Sequence, residues 1–432
     1  MTTIGYDRKT LPRRRWRIAW LLGLGVLINY FDRVNLSVSH DALFAAFGVS
    51  DVVFGYLSSA YNLTYACLQL PVGVILDKLG VKKVGRISTF LWSCASFAGA
   101  VTPSLSGLFG ARFLLGVGEA PSFPANAKAT GLWFPTHERS FATSCFDAAA
   151  KFASVIGIPL MGFVLIRFGW RWSFGLTGLL SLGYFLLFWR VYRDPADDPD
   201  LSPEERAYID GSDVAEGGEA RAAVPARSLF YLLGQRKVIG LLLGFGAYNY
   251  VFYLLLAWLP TYISSALHID LMHSFLDTSV PWIVATCTDL LIGGMLVDTL
   301  IRRGYNPSLV RGIVLIGGMT FGLGIFGAAH AATAGQALLW ISICIGGLAA
   351  AAPVAWSIPS LITSRNNVGK VGGIINFSAQ VSGIVAQVLT GYIVEDLHSY
   401  VWVFVVPSIY LVIGILAYIF LLGRIELTPA LE

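Results

Sequence analysis

Apolar stretches long enough to cross a bilayer recur along this chain, and no other feature restricts its folding as tightly. A helical span needs about 20 apolar residues. Such stretches fall at roughly residues 16–39, 52–76, 84–103, 105–130, 139–166, 171–192, 236–266, 274–300, 308–329, 333–361, 369–395 and 399–423. Charged residues make up 13% of the chain, about half the share of an ordinary soluble protein. A backbone in hydrocarbon must satisfy its own hydrogen bonds, which leaves helices as the solution for runs of this length. The expected fold is therefore an all-α polytopic membrane protein with twelve transmembrane helices. The first apolar stretch is of full length and follows a polar N-terminus, so no cleavable signal peptide is expected. Cys67, Cys94, Cys145, Cys287 and Cys344 lie inside spans with no paired or metal-site spacing and read as packing residues.

Orientation follows from the basic residues. Of 30 lysines and arginines, Arg167 and Arg171 fall in connections on one side and Arg33, Arg112 and Lys151 inside spans; the rest gather on the other side. The positive-inside rule then places both termini in the cytoplasm. The longest connection, 193–235, divides six spans from six. Three units are expected: an N-terminal bundle at 1–192, a cytoplasmic linker at 193–235 and a C-terminal bundle at 236–432. Within the linker, Ser202, Pro203 and Glu205 predict a capped short helix on the surface.

A repeat supports this division. Gly73 and Asp77 follow span two, with Lys78, Gly80, Lys82 and Lys83 behind them; Gly294 and Asp298 follow span eight, with Arg302, Arg303 and Gly304 behind them. The two cores lie 221 residues apart. Parallel six-span repeats are a recognised transporter plan, with substrate held near the midplane between them. The first of these segments resembles the signature loop of the major facilitator superfamily, and the second resembles its degenerate copy. Asn29–Arg33 in span one and Arg112–Ala120 in span four resemble the anion:cation symporter family, as do Trp258–Tyr262 and Gly372–Phe377 in the second half. That resemblance implies a major facilitator fold of two six-helix bundles, alternating access, and a bacterial transporter of sugar acids or other organic anions.

Charges inside apolar spans cost at least about 2.5–3.5 kcal/mol each and mark where the chemistry is. Arg33 and Arg112 fall at similar depth. Arginine offers a fixed fork that matches a carboxylate, so both are candidate substrate ligands; the alternative is that they only neutralise Asp32 and Glu119. Glu119 lies near mid-membrane, where burial and a nearby arginine pull its proton affinity in opposite directions. The family resemblance implies proton coupling at the positions of Asp32 and Glu119. In span five, Asp147 and Lys151 share a helix face at i, i+4. Lys151 either pairs with Asp147, reaches the substrate, or meets Glu119. Asp289, deep in span eight, has no evident cation in its own half.

Tyr30, Tyr65, Asn376 and Gln380 are further candidates for the substrate site, because buried polar groups need partners that a polar solute can supply. The basic clusters suit anionic lipid rather than nucleic acid. No metal spacing among the histidines, no cofactor loop and no nucleophile motif is present, which points away from an enzyme and from any metal or cofactor. A receptor would need an output domain, and no stretch is long enough. The expectation is a proton-coupled symporter, monomeric, in the bacterial inner (plasma) membrane. Its substrate would be an organic carboxylate: a sugar acid (aldonate, aldarate or hexuronate) first, an aromatic or short dicarboxylic acid second. An uncoupled facilitator or exchanger is the remaining alternative.

Overall fold

A computed structural model describes residues 13–215, 228–266, 271–363, 365–397 and 400–427. Among these the regular structure is helical, with no strand. The spans form the expected twelve-helix arrangement of two six-helix bundles. By length and hydropathy eight helices qualify as membrane-crossing, or nine if one bent pair is counted. Span one (Arg14–Val38) falls short because Asn29, Asp32, Arg33 and Asn35 dilute its hydropathy. Span four falls short because it is broken into Leu105–Glu119 and Ser122–Trp133. The break falls at Ala120 and Pro121, where the ring removes a backbone donor. Glu119 is thus the last residue before a discontinuity in mid-span.

Spans two and three are separate helices within Asp51–Val101 that meet at a tight turn at Gly80, with φ 75° and ψ 166°. Only glycine adopts that backbone without strain. The segment expected to be a conformational loop thus holds the turn between these two helices. At that turn Gly80 stands beside Asp194, and Lys82 Nζ lies 3.5 Å from Asp197. Lys78 and Lys83 are exposed. The side chain of Asp77 lies outside the described residues, and the Gly73 backbone is helical with open space at its Cα.

The linker also differs from expectation. Its helix, Pro203–Ala215, starts as the sequence predicts, with Ser202 Oγ accepting from the Glu205 amide at 3.1 Å. Yet Glu205 is fully buried. Its carboxylate accepts from the amides of Arg14 and Arg15 at 3.1 and 3.2 Å and from the Arg15 guanidinium at 2.8 Å. Asp198, also buried, holds Arg14 at 2.8 Å, and Glu138 at the start of span five holds Arg15 at 2.8 Å. A carboxylate on the first free amides of a helix satisfies orphan donors and complements the helix dipole. The linker is strapped to the foot of span one. Removing one partner of such a buried pair costs about 3–5 kcal/mol, so Glu205→Ala is expected to lower the melting temperature of the detergent-purified protein by several degrees. An unchanged melting curve would show that the strap contributes nothing.

The two halves meet along three helix pairs: spans one and seven (Arg236–Thr261), two and eleven (Arg365–Leu397), and five (Thr136–Phe168) and eight (Leu271–Thr288). At the face away from the termini the contact is tight. Ser37 Oγ donates to Ala257 O at 2.7 Å, and the Val52 amide donates to Glu395 at 2.9 Å. A short helix, His40–Phe47, caps this face. The His40 ring sits edge-on to Phe54 and tilted against Trp258 of the second half, at 4.6 and 5.7 Å.

His40 also bridges Asp41 at 2.8 Å and Asp51 at 2.9 Å. Burial alone would lower its pKa, but the hydrogen bonds and charges of the two aspartates outweigh burial and raise it above the usual histidine value. A raised folded-state pKa gives stability that is present at low pH and lost as pH rises through it. The tie is therefore expected to weaken above neutrality, on the order of 1 kcal/mol for a partly exposed pair. Wild-type thermal stability should fall between pH 6.5 and 8.5, and His40→Gln should flatten that slope.

Candidate functional site

Adjacent residues on a helix project about 100° apart and cannot share a face. Asp32 and Arg33 follow that rule, and their side chains enter different environments. Asp32 turns into the first bundle. Its carboxylate accepts from Trp92 Nε1 at 2.7 Å, Ser96 Oγ at 2.9 Å and Ser181 Oγ at 3.4 Å. Arg112 lies on the same side, with both terminal nitrogens 3.3 Å from the backbone oxygen of Asp32. Arg112 there braces the backbone of span one and also lies within electrostatic reach of Glu119, Tyr61 and Arg33. Spans three and four close around this core because Gly118 permits it. A Cβ there would come within 2.7 Å of the Trp92 amide.

Arg33 turns the other way, toward the contact between halves. Its guanidinium lies over the rings of Tyr30, Tyr61 and Tyr65, with centroid distances of 4.4, 4.7 and 5.8 Å. It donates to Tyr61 Oη at 2.5 Å and to Asn29 Oδ1 at 3.2 Å. Glu119 is completely buried and lies 3.7 Å from Arg33. Neither Glu119 oxygen has an aligned hydrogen-bond donor. The Tyr61 hydroxyl stands beside both groups.

The second half completes this enclosure with uncharged polar groups. Tyr253 of span seven lies within electrostatic reach of Arg33, Tyr30 and Tyr65, and its hydroxyl meets the Gln380 amide at 3.2 Å. Asn376 donates to Gln69 of span two at 2.8 Å, joining the halves. Tyr30, Tyr65 and Gln380 are thus brought together with Arg33 and Glu119, while Asn376 sits at the margin. Tyr61 and Tyr253 complete the enclosure. Four residues separate Tyr61 from Tyr65, which puts both on one helix face, and that spacing was the available signal.

A second charged group lies across the halves. Lys151 Nζ is 2.6 Å from Asp147 Oδ2 and 2.5 Å from Asp289 Oδ2. Of the partners expected for Lys151 (Asp147, the substrate or Glu119), the structure shows Asp147, and it adds Asp289 of the other half. Asp289 has a cation after all, supplied by the other half. Tyr30 lies between the two groups, within reach of both Arg33 and Lys151. Among the described residues no cluster of three or more histidines, cysteines or acids could hold a metal.

A cation and a buried acid at the seam of two matched bundles suit a membrane transporter. The sequence matches the Major Facilitator Superfamily over residues 22–348, and the chain belongs to that family. It is 37% identical to the uncharacterised transporter YybO of Bacillus subtilis over 416 residues, covering 95% of each chain. It is 29% identical to the D-galactonate transporter of Escherichia coli O6:H1 over 420 residues, covering 96% of this chain and 97% of that one. Among solved structures, a bacterial homologue of the human lysosomal transporter Spinster, inward-facing and occupied, superposes with a TM-score of 0.73 at 14% identity. That match covers 97% of this chain and all of the other. The protein is a multi-pass membrane transporter.

Proposed function

We propose that this protein is a proton-coupled symporter that imports an organic carboxylate, a sugar acid first of all, by alternating access. The observation that carries the reading is the Arg33–Glu119 pair, 3.7 Å apart at the seam between the halves. A substrate carboxylate arriving at the Arg33 fork competes with Glu119 for the same cation. Glu119 then loses its partner in a buried site, and a proton compensates. Substrate and proton therefore favour each other's binding, and that coupling is reciprocal. Tyr30, Tyr61, Tyr65, Tyr253 and Gln380 supply hydroxyls and an amide for a polyol chain, with Asn376 at its edge. Asp32, held within the first bundle, keeps Trp92 and span one in place and is the second proton-linked carboxylate of this reading. Arg112 supports the substrate site through the Asp32 backbone. Halves at 1–192 and 236–432 rock about the seam, with the linker at 193–235 and both termini in the cytoplasm of a bacterial inner membrane, the chain acting as a monomer.

The likeness to a protein named as a D-galactonate transporter supports a sugar acid. The tyrosine enclosure over Arg33 favours a second reading, an aromatic carboxylate, since rings pack well against rings and a guanidinium. Uptake of labelled D-galactonate and labelled benzoate into proteoliposomes, with and without an imposed pH gradient, tests both. Accumulation of D-galactonate driven by the gradient is the expected result. Accumulation of benzoate alone would move the substrate to the aromatic class. Equilibration unaffected by the gradient would replace symport with facilitation.

A further inference from the structure

The group formed by Asp147, Lys151 and Asp289 has no part in the mechanism just described, yet in it charges from opposite halves touch. Its members come from spans five and eight, which pack along the seam. The Lys151 side chain is 4% exposed and that of Asp289 is 1% exposed, while Asp147 retains 17%. With all three ionised the group carries a net negative charge, and one ammonium cannot neutralise two carboxylates. Burying an uncompensated charge costs several kcal/mol, and the partly exposed Asp147 carries the excess charge at the least cost while Lys151 holds Asp289. The Asp147 and Asp289 carboxyl groups lie close enough to interact directly. The Asp289 approach to Lys151 is short but misaligned, since neither of its oxygens makes a properly directed hydrogen bond.

We propose that Asp289, with Asp147 and Lys151, is a further proton-binding site, separate from Glu119 and Asp32, and that Asp289 takes up its proton when spans five and eight part. Asp147 and Lys151 are one helical turn apart on the same span and stay paired in every state. Asp289 belongs to the other half and leaves with it. On its own helix the next cations in the chain, Arg302 and Arg303, are about 20 Å along the axis. The facing residues of span ten, Gly346, Ala350 and Pro353, carry no charge. Span seven presents Tyr248, which interacts with all three members, and span one presents Tyr30, which interacts with Asp147 and Lys151. Neither tyrosine can replace an ammonium. The parted Asp289 therefore forms an O–H bond with a proton drawn from the aqueous side then open, and releases it when Lys151 returns. The local helix is built for such a contact: Asp289 opens a π-helical stretch, Asp289–Leu296, between the two regular parts of span eight. Turns of this kind occur often at functional sites because they redirect side chains.

The consequence for transport rests on the symport reading above, and the experiment separates the two. Infrared difference spectra of the full-length protein in detergent, without substrate, are recorded across a pH series. Wild type is expected to show a titrating protonated-carboxyl band that Asp289→Asn removes and Glu119→Gln leaves. Lys151→Met, which strands Asp289 at all times, is expected to hold that band to higher pH, and this variant keeps the test open should Asp289→Asn fold poorly. In proteoliposomes, the reversal potential of D-galactonate flux should report one proton fewer per substrate in Asp289→Asn than in wild type. Spectra of Asp289→Asn that match wild type, or a band in Lys151→Met with unchanged titration, would overturn this further site. Proton-driven uptake with the same stoichiometry in Asp289→Asn would overturn its part in coupling alone. Absence of uptake by wild type would overturn the symport reading and leave the spectra to decide the site.

Discussion

Arg33→Lys is expected to lower D-galactonate uptake by two orders of magnitude or more, with the purified variant still monodisperse. Lysine keeps the charge but loses the planar fork that grips a carboxylate with two parallel bonds and lies flat on aromatic rings. Here the guanidinium lies against three tyrosine rings and bonds Tyr61 and Asn29. Truncating one member of a buried, hydrogen-bonded charge pair costs about 2–5 kcal/mol, and each 1.4 kcal/mol is about tenfold. Loss should appear both in uptake and in the thermal shift produced by D-galactonate. A variant that still binds and accumulates substrate as wild type does would remove Arg33 from the substrate site.

Glu119→Gln gives the second large effect, of a different kind. The amide has almost the same shape but cannot carry a charge or exchange a proton at any working pH. Glu119 is fully buried, 3.7 Å from Arg33. Its replacement leaves Arg33 free for substrate but removes the link between substrate and proton. Uptake against a concentration gradient should fall to background, while exchange of internal for external D-galactonate persists at near wild-type rate. Measuring both in one vesicle preparation checks the idea: retained accumulation would exclude Glu119 from coupling, and loss of exchange as well would assign it to binding or folding instead.

The sequence reveals the helices because apolar run length and hydrocarbon thickness are linked by one number, the rise per residue. It reveals the important charges because charge in such a run is costly. Their partners are harder to read. Pairing depends on how each helix is rotated about its axis and on which helix lies beside it. Asp32 and Arg33 illustrate the first point, since neighbours on a helix diverge by about 100°, and that rule could have separated them at the outset. Asp289 illustrates the second: its cation, Lys151, lies in the other half, so a search within one repeat leaves it alone. Glu205 shows a third limit. Its capping box is legible, but a buried grip on the foot of span one leaves no mark in hydropathy, so a polar linker passes for a loose surface element. The break after Glu119 is signalled by Pro121, and the turn between spans two and three by Gly80.

The charges of the central enclosure all come from one bundle. Arg33 and Glu119 belong to the first half, and the second half faces them with Tyr253, Gln380 and Asn376. Substitutions at Tyr253, Gln380 and Asn376 can therefore reshape the enclosure for a longer, shorter or flatter solute without disturbing the Arg33–Glu119 pair.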